Sequence, residues 1–140
     1  GGGRFVFSRK RVASRRSRVD QKFMFRFEEL DIWNLSIDYC LDIYKLTHNF
    51  PQYEQYALSN QLRRSASSIS TNIAEGTGTN TPQDLARYLG YATASATETI
   101  SLLTLANKLD YIDQQTLDGL YEFAEIIIRK TRRFKKIINS

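Results

Sequence analysis

Apolar residues recur at every third or fourth position through four segments of this chain, and short groups of turn-forming residues separate the segments. This spacing aligns side chains along one face of an α-helix, whereas a half-buried strand requires alternation at every second residue, which is absent. Four helices of about 20 to 29 residues with short connections predict an all-α chain, folded as an antiparallel up-down-up-down four-helix bundle.

Local signals set the expected helix boundaries. Helices are predicted over about 28–48 and 52–75, a third from Thr81 onward and a fourth from Asp113 onward. The side chains of Thr81 and Asp113 are suited to capping a helix N-terminus. Gly76 is expected to close the second helix in the left-handed conformation that glycine tolerates.

Each predicted helix has an apolar stripe that we expect to face the core. In helices one and two the stripes are Leu30, Trp33, Ile37, Cys40, Tyr44 and Thr47, with Leu41 beside them, and Leu58, Leu62, Ala66, Ile69 and Ile73. In helices three and four they are Leu85, Leu89, Ala92, Ala96, Thr99, Leu103 and Ala106, and Leu117, Leu120, Ala124, Ile127, Thr131, Phe134 and Ile138. Helix three has a second stripe, which predicts neighbours on two sides or a partner subunit: Tyr88, Tyr91, Ser95, Leu102, Leu105 and Leu109.

The positive charge of the chain is concentrated near its N-terminus. The net charge is +5, and residues 1–23 contain eight basic residues and one acidic residue. Residues 24–140 contain 12 basic and 14 acidic residues. We therefore divide the chain into a basic leader, 1–26, and a bundle, 27–140. The leader is predicted to be disordered or foreign to the natural protein, because Met24 has the context of a natural start. A basic arm that binds nucleic acid is the alternative.

Residue usage argues against several classes of function. One cysteine and one histidine cannot form a Cys/His metal cluster, and the Glu-x-x-His motif of di-metal bundles is absent. The sequence has no signal peptide and no apolar run long enough to span a membrane, which predicts a cytoplasmic protein. Pairing of helices two and three would bring Glu75 and Glu98 near each other, but a carboxylate pair alone is weak evidence for acid–base chemistry. No enzyme activity, metal, cofactor, membrane or small-molecule substrate is predicted.

The middle of the second helix is rich in small and polar residues. Small side chains at 65–70 and at 92–96 predict that helices two and three approach each other closely. A polar stripe runs beside the apolar one and consists of Arg64, Ser68, Asn72 and Glu75, followed by Gly76. We interpret the stripe as a hydrogen-bonded seam that sets the register of the helices. A ligand or nucleic-acid site is the alternative.

The fourth helix ends in a dense basic run, which is the candidate nucleic-acid site of the bundle: Arg129, Lys130, Arg132, Arg133, Lys135 and Lys136. Arg63 and Arg64 are further candidates if they face outward. Basic residues near a helix C-terminus also complement the helix dipole, so a solvated face is the simpler interpretation. Tyrosines such as Tyr53 and Tyr56 are able to stack on bases, but an interface or core role is favoured.

Several of these features combine in a known pattern. It comprises Leu30-Asp31-Ile32-Trp33, Phe50-Pro51, Arg63-Arg64, Asn-Ile-Ala-Glu-Gly at 72–76, and Asp110-Tyr111-Ile112, in which glycine is expected in place of Asp110. Over about residues 26–138 the chain resembles the 23S rRNA intervening-sequence proteins, a bacterial family of four-helix bundles. The resemblance implies a homopentameric ring, whose biochemical role in the family is not established.

A more distant resemblance is to the accessory variability determinant of diversity-generating retroelements. That resemblance implies a basic pentamer that binds nucleic acid and a reverse transcriptase, whereas residues 24–140 of this chain are slightly acidic. Two functions are therefore expected. The first is a non-enzymatic oligomeric scaffold that interacts with itself, and the alternative is an RNA- or DNA-binding accessory protein that uses the basic run of helix four.

Overall fold

The computed structural model describes residues 26–140, in which four α-helices follow a short 3-10 helix, Arg26–Glu29. The α-helices are α1, Asp31–His48; α2, Leu58–Thr77; α3, Pro82–Lys108; and α4, Gln114–Ile138. This part of the chain contains no strand, which confirms the all-α prediction for it. The predicted leader lies outside the described residues, apart from Arg26. Within residues 26–140 no helix combines the length and the apolar surface that a bilayer crossing requires.

The helices form a ring of neighbours, in which α1 packs on α2, α2 on α3, α3 on α4 and α4 on α1. The α2–α3 pair packs most extensively and the α1–α4 pair least. In the described chain no Cα atom of α1 lies within 8 Å of one in α3, and the same holds for α2 and α4, so these pairs lie diagonally across the bundle. Short loops reverse the chain between successive helices, which gives the up-down-up-down order.

Side-chain caps set the beginnings of α3 and α4, as predicted. Thr81 Oγ1 accepts a hydrogen bond of 3.1 Å from the Asp84 N–H, and Pro82 is the first residue of α3. Asp113 Oδ1 accepts one of 2.8 Å from the Thr116 N–H. Each bond satisfies an N–H that has no partner within the helix.

The second helix begins later than predicted. Residues Gln52–Glu54 form a 3-10 helix, and Ala57 has φ −121° and ψ −103°, so the helix does not start before Leu58. The aromatic and polar residues of this segment instead build a structured connection at one end of the bundle.

Three of the four predicted core stripes are confirmed. In α2 and α3 every residue of the first predicted stripe is buried. In α4 the stripe is buried from Leu117 to Thr131, while Phe134 and Ile138 are partly buried. Phe123 also joins the core, where its ring meets that of Tyr39 edge-on at a centroid distance of 5.2 Å.

The predicted core stripe of α1 is wrong. The apolar residues of α1 that face the core are Ile32, Leu35, Tyr39, Ile43 and Leu46. Of the predicted stripe only Thr47 is buried, and Leu41 and Tyr44 are 39% and 49% exposed. The helix is apolar on two faces, and its acidic residues Asp38 and Asp42 are buried. The pattern therefore favoured the outer face over the inner one.

Gly76 is not the left-handed residue that was predicted. It lies inside α2, where a Cβ atom would stand 2.9 Å from Tyr88 Cβ and 3.0 Å from Leu85 Cδ1. No glycine with positive φ occurs in the described part of the chain. Glycine is needed here because α3 approaches α2 too closely for any side chain.

The left-handed position is Asp110, with φ 65°, in the turn between α3 and α4. The Tyr111 N–H donates to the Ala106 carbonyl at 2.9 Å and the Asp110 N–H donates to the Asn107 carbonyl at 3.0 Å. These two bonds form a Schellman motif, which usually has glycine at the left-handed residue. The motif explains why glycine is expected in place of Asp110.

Replacing Gly76 with alanine is expected to lower the free energy of unfolding by about 1–3 kcal/mol, because the new methyl group overpacks the α2–α3 contact. Gly90→Ala is the matched control. A Cβ at Gly90 would meet only the flexible end of Lys135, at 3.3 Å. This variant should gain about 0.5–1 kcal/mol from the higher helix propensity of alanine. Urea denaturation measures both values, and equal stabilisation by the two substitutions would contradict the close approach.

Candidate functional site

Five of the six basic residues of α4 are exposed, and four of them point away from the bundle: Arg129, Arg132, Arg133 and Lys136. They occupy the part of the helix surface opposite the buried stripe, because successive residues of an α-helix are rotated by about 100°. Thr131, which lies among them in the sequence, and Ile127, which precedes them, point into the bundle. The positions predicted from the sequence as a basic run are therefore divided between two environments.

The other two basic residues of the run connect α4 to its neighbours. Lys130 Nζ donates to Asp31 Oδ2 at 2.6 Å, which links α4 to the first residue of α1. Lys135 extends over α3, where a Cβ atom added to Gly90 would lie 3.3 Å from the Lys135 Nζ atom. Both side chains are less available to an external anion than the four outward ones.

A shallow pocket lies among the basic residues on the α1 side of α4. Ile126, Arg129, Lys130 and Arg133 line it. The Lys130 ammonium is bonded to Asp31, so the pocket offers the guanidinium groups of Arg129 and Arg133, whose forks match phosphate oxygens.

Arg63 is committed to the fold, although it was a candidate for binding nucleic acid. Its Nε donates to Thr47 Oγ1 at 2.9 Å and its Nη2 donates to Gln55 Oε1 at 2.9 Å. The guanidinium also lies 5.5 Å from the centre of the Tyr44 ring. Gln55 in turn donates to the carbonyl groups of Thr47 and Phe50, at 3.0 and 3.1 Å. Arg63 thus joins the end of α1, the following connection and α2.

Arg64, in contrast, is exposed on the outside of α2. Of the predicted polar stripe, Ser68 lies in the α2–α3 interface and Asn72 is partly buried, whereas Arg64 and Glu75 face solvent. Asn72 Nδ2 donates to the Ser68 carbonyl at 2.8 Å and to Ser68 Oγ at 3.0 Å. The structure therefore brings together the centre of the predicted stripe and leaves its two charged members outside.

Two hydrogen bonds between hydroxyl groups join α2 to α3. Ser95 Oγ donates to Ser68 Oγ at 3.1 Å, and Thr99 Oγ1 lies 2.8 Å from Ser65 Oγ. Thr99 and Ser65 are buried, so their pairing replaces the water that each hydroxyl loses. The contacts support the interpretation of the small, polar segment as a seam that sets register.

A tyrosine cluster joins the two connections at one end of the bundle. Tyr111 donates to Glu54 Oε2 at 2.8 Å, and its hydroxyl lies 3.2 Å from that of Tyr53. The hydrogen bonds with Tyr53 and Glu54 raise the pKa of Tyr111 above its ordinary value. Tyr53 and Tyr56 are largely exposed. The sequence did not predict this cluster, because Tyr111 and Glu54 are 57 residues apart.

Two apolar stripes face outward from the bundle. The outer α1 stripe consists of Trp33, Ile37, Cys40, Leu41 and Tyr44. Leu41 and Tyr44 are exposed, whereas Trp33 and Cys40 are partly buried and also pack against the core. The outer α3 stripe consists of Tyr91, Leu105 and Leu109, which are 49%, 47% and 44% exposed. The other members of the second stripe predicted for that helix are covered, since Tyr88 and Ser95 contact α2 and Leu102 packs against the core. Because α1 and α3 are diagonal partners, the two stripes belong to different corners of the bundle.

The structure does not bring the carboxylates of Glu75 and Glu98 together. Glu75 and Glu98 are about ten residues apart along the interface, roughly 15 Å, because Tyr88 packs near Gly76 while Thr99 meets Ser65. Burial raises the pKa of the Cys40 thiol to about 11, so it stays protonated at neutral pH. Residues 26–140 contain no group of three metal-ligating side chains.

The comparisons with known proteins agree with the bundle architecture. A sequence model of the 23S rRNA-intervening sequence proteins matches residues 28–133. A crystal structure from Bacteroides thetaiotaomicron, described as a protein of unknown function from the S23 ribosomal protein family, matches with a TM-score of 0.67 and 24% sequence identity. The match covers 75% of this chain and 98% of that chain, and it shows a shared fold. No curated protein matches.

Arg63→Ala should lower the free energy of unfolding by about 1–3 kcal/mol, because Thr47 and Gln55 lose a charged hydrogen-bond donor. Arg64→Ala is the control at the adjacent position and should change stability by less than about 0.5 kcal/mol, since Arg64 is exposed. Thermal and urea denaturation of both variants measure the difference. Equal effects of the two substitutions would show that the Arg63 contacts do not hold the connection in place.

Proposed function

Because the chain belongs to the 23S rRNA-intervening sequence protein family, we propose that it is a non-enzymatic scaffold that assembles with copies of itself through its outer apolar stripes. The assembly is the homopentameric ring implied by the resemblance, which acts in a bacterial cytoplasm by presenting repeated surfaces to protein partners. Its function requires no cofactor, metal, membrane or small-molecule substrate.

The observation that carries the proposal is the pair of outer stripes on α1 and α3. Contiguous apolar surface on a small protein is characteristic of interaction sites, since water contact with such surface is unfavourable. Leu41 and Tyr44 on α1, and Leu105 and Leu109 on α3, are large apolar side chains at exposed positions. Aromatic residues such as Tyr44 are enriched at protein interfaces.

The positions of the stripes favour a ring over a symmetric pair. A two-fold dimer uses the same surface on both copies, whereas a closed ring joins two different surfaces head to tail. Since α1 and α3 lie diagonally across the bundle, the α1 stripe of one copy can cover the α3 stripe of the next. Repetition of this contact with a constant rotation closes a ring.

Replacing Leu41 or Leu105 with glutamate is expected to reduce the assembly to monomers of 16.2 kDa, because each change puts a charge into an apolar contact. Each variant keeps one intact stripe. An equimolar mixture of Leu41→Glu and Leu105→Glu should therefore form a dimer that cannot grow. Light scattering after size-exclusion chromatography measures the three masses.

Tyr56→Glu is the matched control, because Tyr56 is 91% exposed and lies outside both stripes. It should keep the mass of the original assembly. A monomeric original chain would contradict self-assembly itself. A Leu105→Glu variant that remains fully assembled would instead show that the contact does not join the α1 stripe to the α3 stripe.

A second candidate function is RNA or DNA binding, favoured by the four outward basic residues of α4 and the pocket beside them. Each of the four residues is exposed, and exposed cations of this kind attract a phosphate backbone. The distant resemblance to the accessory variability determinant supports the same function. Five copies in a ring would strengthen individually weak phosphate contacts.

If the basic face binds nucleic acid, four phosphate contacts should give roughly 100-fold weaker binding when salt rises from about 50 to about 200 mM. Replacing Arg129, Arg132, Arg133 and Lys136 with glutamine should abolish the binding. Lys130→Gln with Lys135→Gln is the control and should keep most of it. Fluorescence anisotropy with labelled structured RNA measures the affinities, for the full chain and for a chain that begins at Met24. If the full chain binds RNA and the chain that begins at Met24 does not, the basic leader is the part that binds.

A further inference from the structure

The charges of α4 are divided between its two halves. Residues 110–125 contain five acidic residues and no lysine or arginine, whereas residues 126–140 contain six basic residues and no acidic one. The helix dipole favours acids in the first turn and bases in the last, but its effect falls off within one turn. It does not account for Glu125 and Arg129, which lie in the middle of the helix.

The outward charges are also arranged symmetrically about Ile127. Glu125 and Arg129 are each two residues from Ile127, on opposite sides, and Glu122 and Arg132 are each five residues from it. All four side chains are exposed. In both pairs, each charged residue thus has a residue of opposite charge at the same distance on the other side of Ile127.

The same relation continues toward the ends of the face. Asp118 and Lys136 are each nine residues from Ile127, and Tyr121 and Arg133 are each six residues from it. These residues are exposed too. Asp118 and Lys136 again have opposite charges, and Tyr121 with Arg133 is a suitable cation–π pair. The symmetry therefore extends over about 27 Å of helix.

We infer that this outward face of α4 docks against the same face of a second copy of the chain, with the two α4 helices antiparallel. In such an isologous pair, a residue that lies n positions before Ile127 faces the one n positions after it in the partner. All four pairs, Glu125 with Arg129, Glu122 with Arg132, Asp118 with Lys136 and Tyr121 with Arg133, then form attractive contacts between the two copies. The two-fold symmetry makes each contact occur twice. A parallel arrangement would instead place like charges together.

A second copy fits this face better than a nucleic acid lying along it. A phosphate backbone is attracted to the half from Arg129 to Lys136, but the carboxylates of Asp118, Glu122 and Glu125 repel it. An antiparallel copy satisfies both halves. Since a single helix on a single helix buries little surface, the contact belongs to the weak, salt-sensitive class of interfaces.

This contact goes beyond the proposed scaffold function, because it uses a different face and different chemistry. Apolar contacts through the outer α1 and α3 stripes persist in salt, whereas the α4 contact is lost. The α4 contact doubles the mass of whatever particle exists at high salt, whether that particle is a ring or a monomer. Failure of one proposal is therefore distinguishable from failure of the other.

Sedimentation velocity of the full chain at about 50 and about 500 mM salt tests the inference. The first variant combines Asp118→Lys with Glu125→Lys, the second combines Arg129→Glu with Lys136→Glu, and the third carries all four changes. The original chain should double in mass at low salt only. The first and second variants should each fail to double, because like charges then face each other.

The third variant, and an equimolar mixture of the first two, should double again at low salt, since opposite charges once more face each other. No doubling of the original chain, doubling that resists salt, or a folded third variant that stays single would each overturn the inference. If circular dichroism shows that a multiply substituted chain does not fold, the single variants Glu122→Arg and Arg132→Glu provide the same test. Each variant alone should fail to double in mass, and their equimolar mixture should double.

Discussion

The close approach of α2 and α3 is the constraint on which the rest of the bundle depends. Gly76 allows the backbone of α2 to pass beside Tyr88, and the buried hydroxyl groups of Ser65 and Thr99 bond to each other. A buried hydroxyl that loses its partner is costly, so a shift of one helix along the other would break the seam and the close contact together. The remaining helices pack on this pair in the register that it sets.

A consequence of this arrangement is the separation of chemistry on the outside of the molecule. The small residues lie between α2 and α3, and the large apolar residues that the core does not bury lie on the outside of α1 and α3. The charged residues are concentrated on α4. The contacts proposed for the apolar stripes depend on water exclusion, whereas the contact proposed for α4 depends on salt. Ionic strength would therefore act on one of the two proposed associations and leave the other largely unchanged.

The motif residues show how far sequence reasoning reaches into the candidate site. Arg63 and Arg64 are adjacent and identical, so no local pattern distinguishes them, yet one bonds to Thr47 and Gln55 and the other is exposed. The basic run of α4 was found from the sequence, but its division depends on Asp31, which is 99 residues away from Lys130. The tyrosine cluster was not found, because its members lie in separate connections.

The sequence by itself determined the helical class, the caps at Thr81 and Asp113, and the inward stripes of α2, α3 and α4, because these depend on residues within one or two turns of each other. Only the tertiary structure decided which of the two apolar faces of α1 is buried and why position 76 is glycine. Those answers depend on the surfaces of other helices: α1 turns inward the face that meets Phe123, and Gly76 is required by Tyr88. A periodic pattern records that a face is apolar, but the partner helices determine whether it is covered.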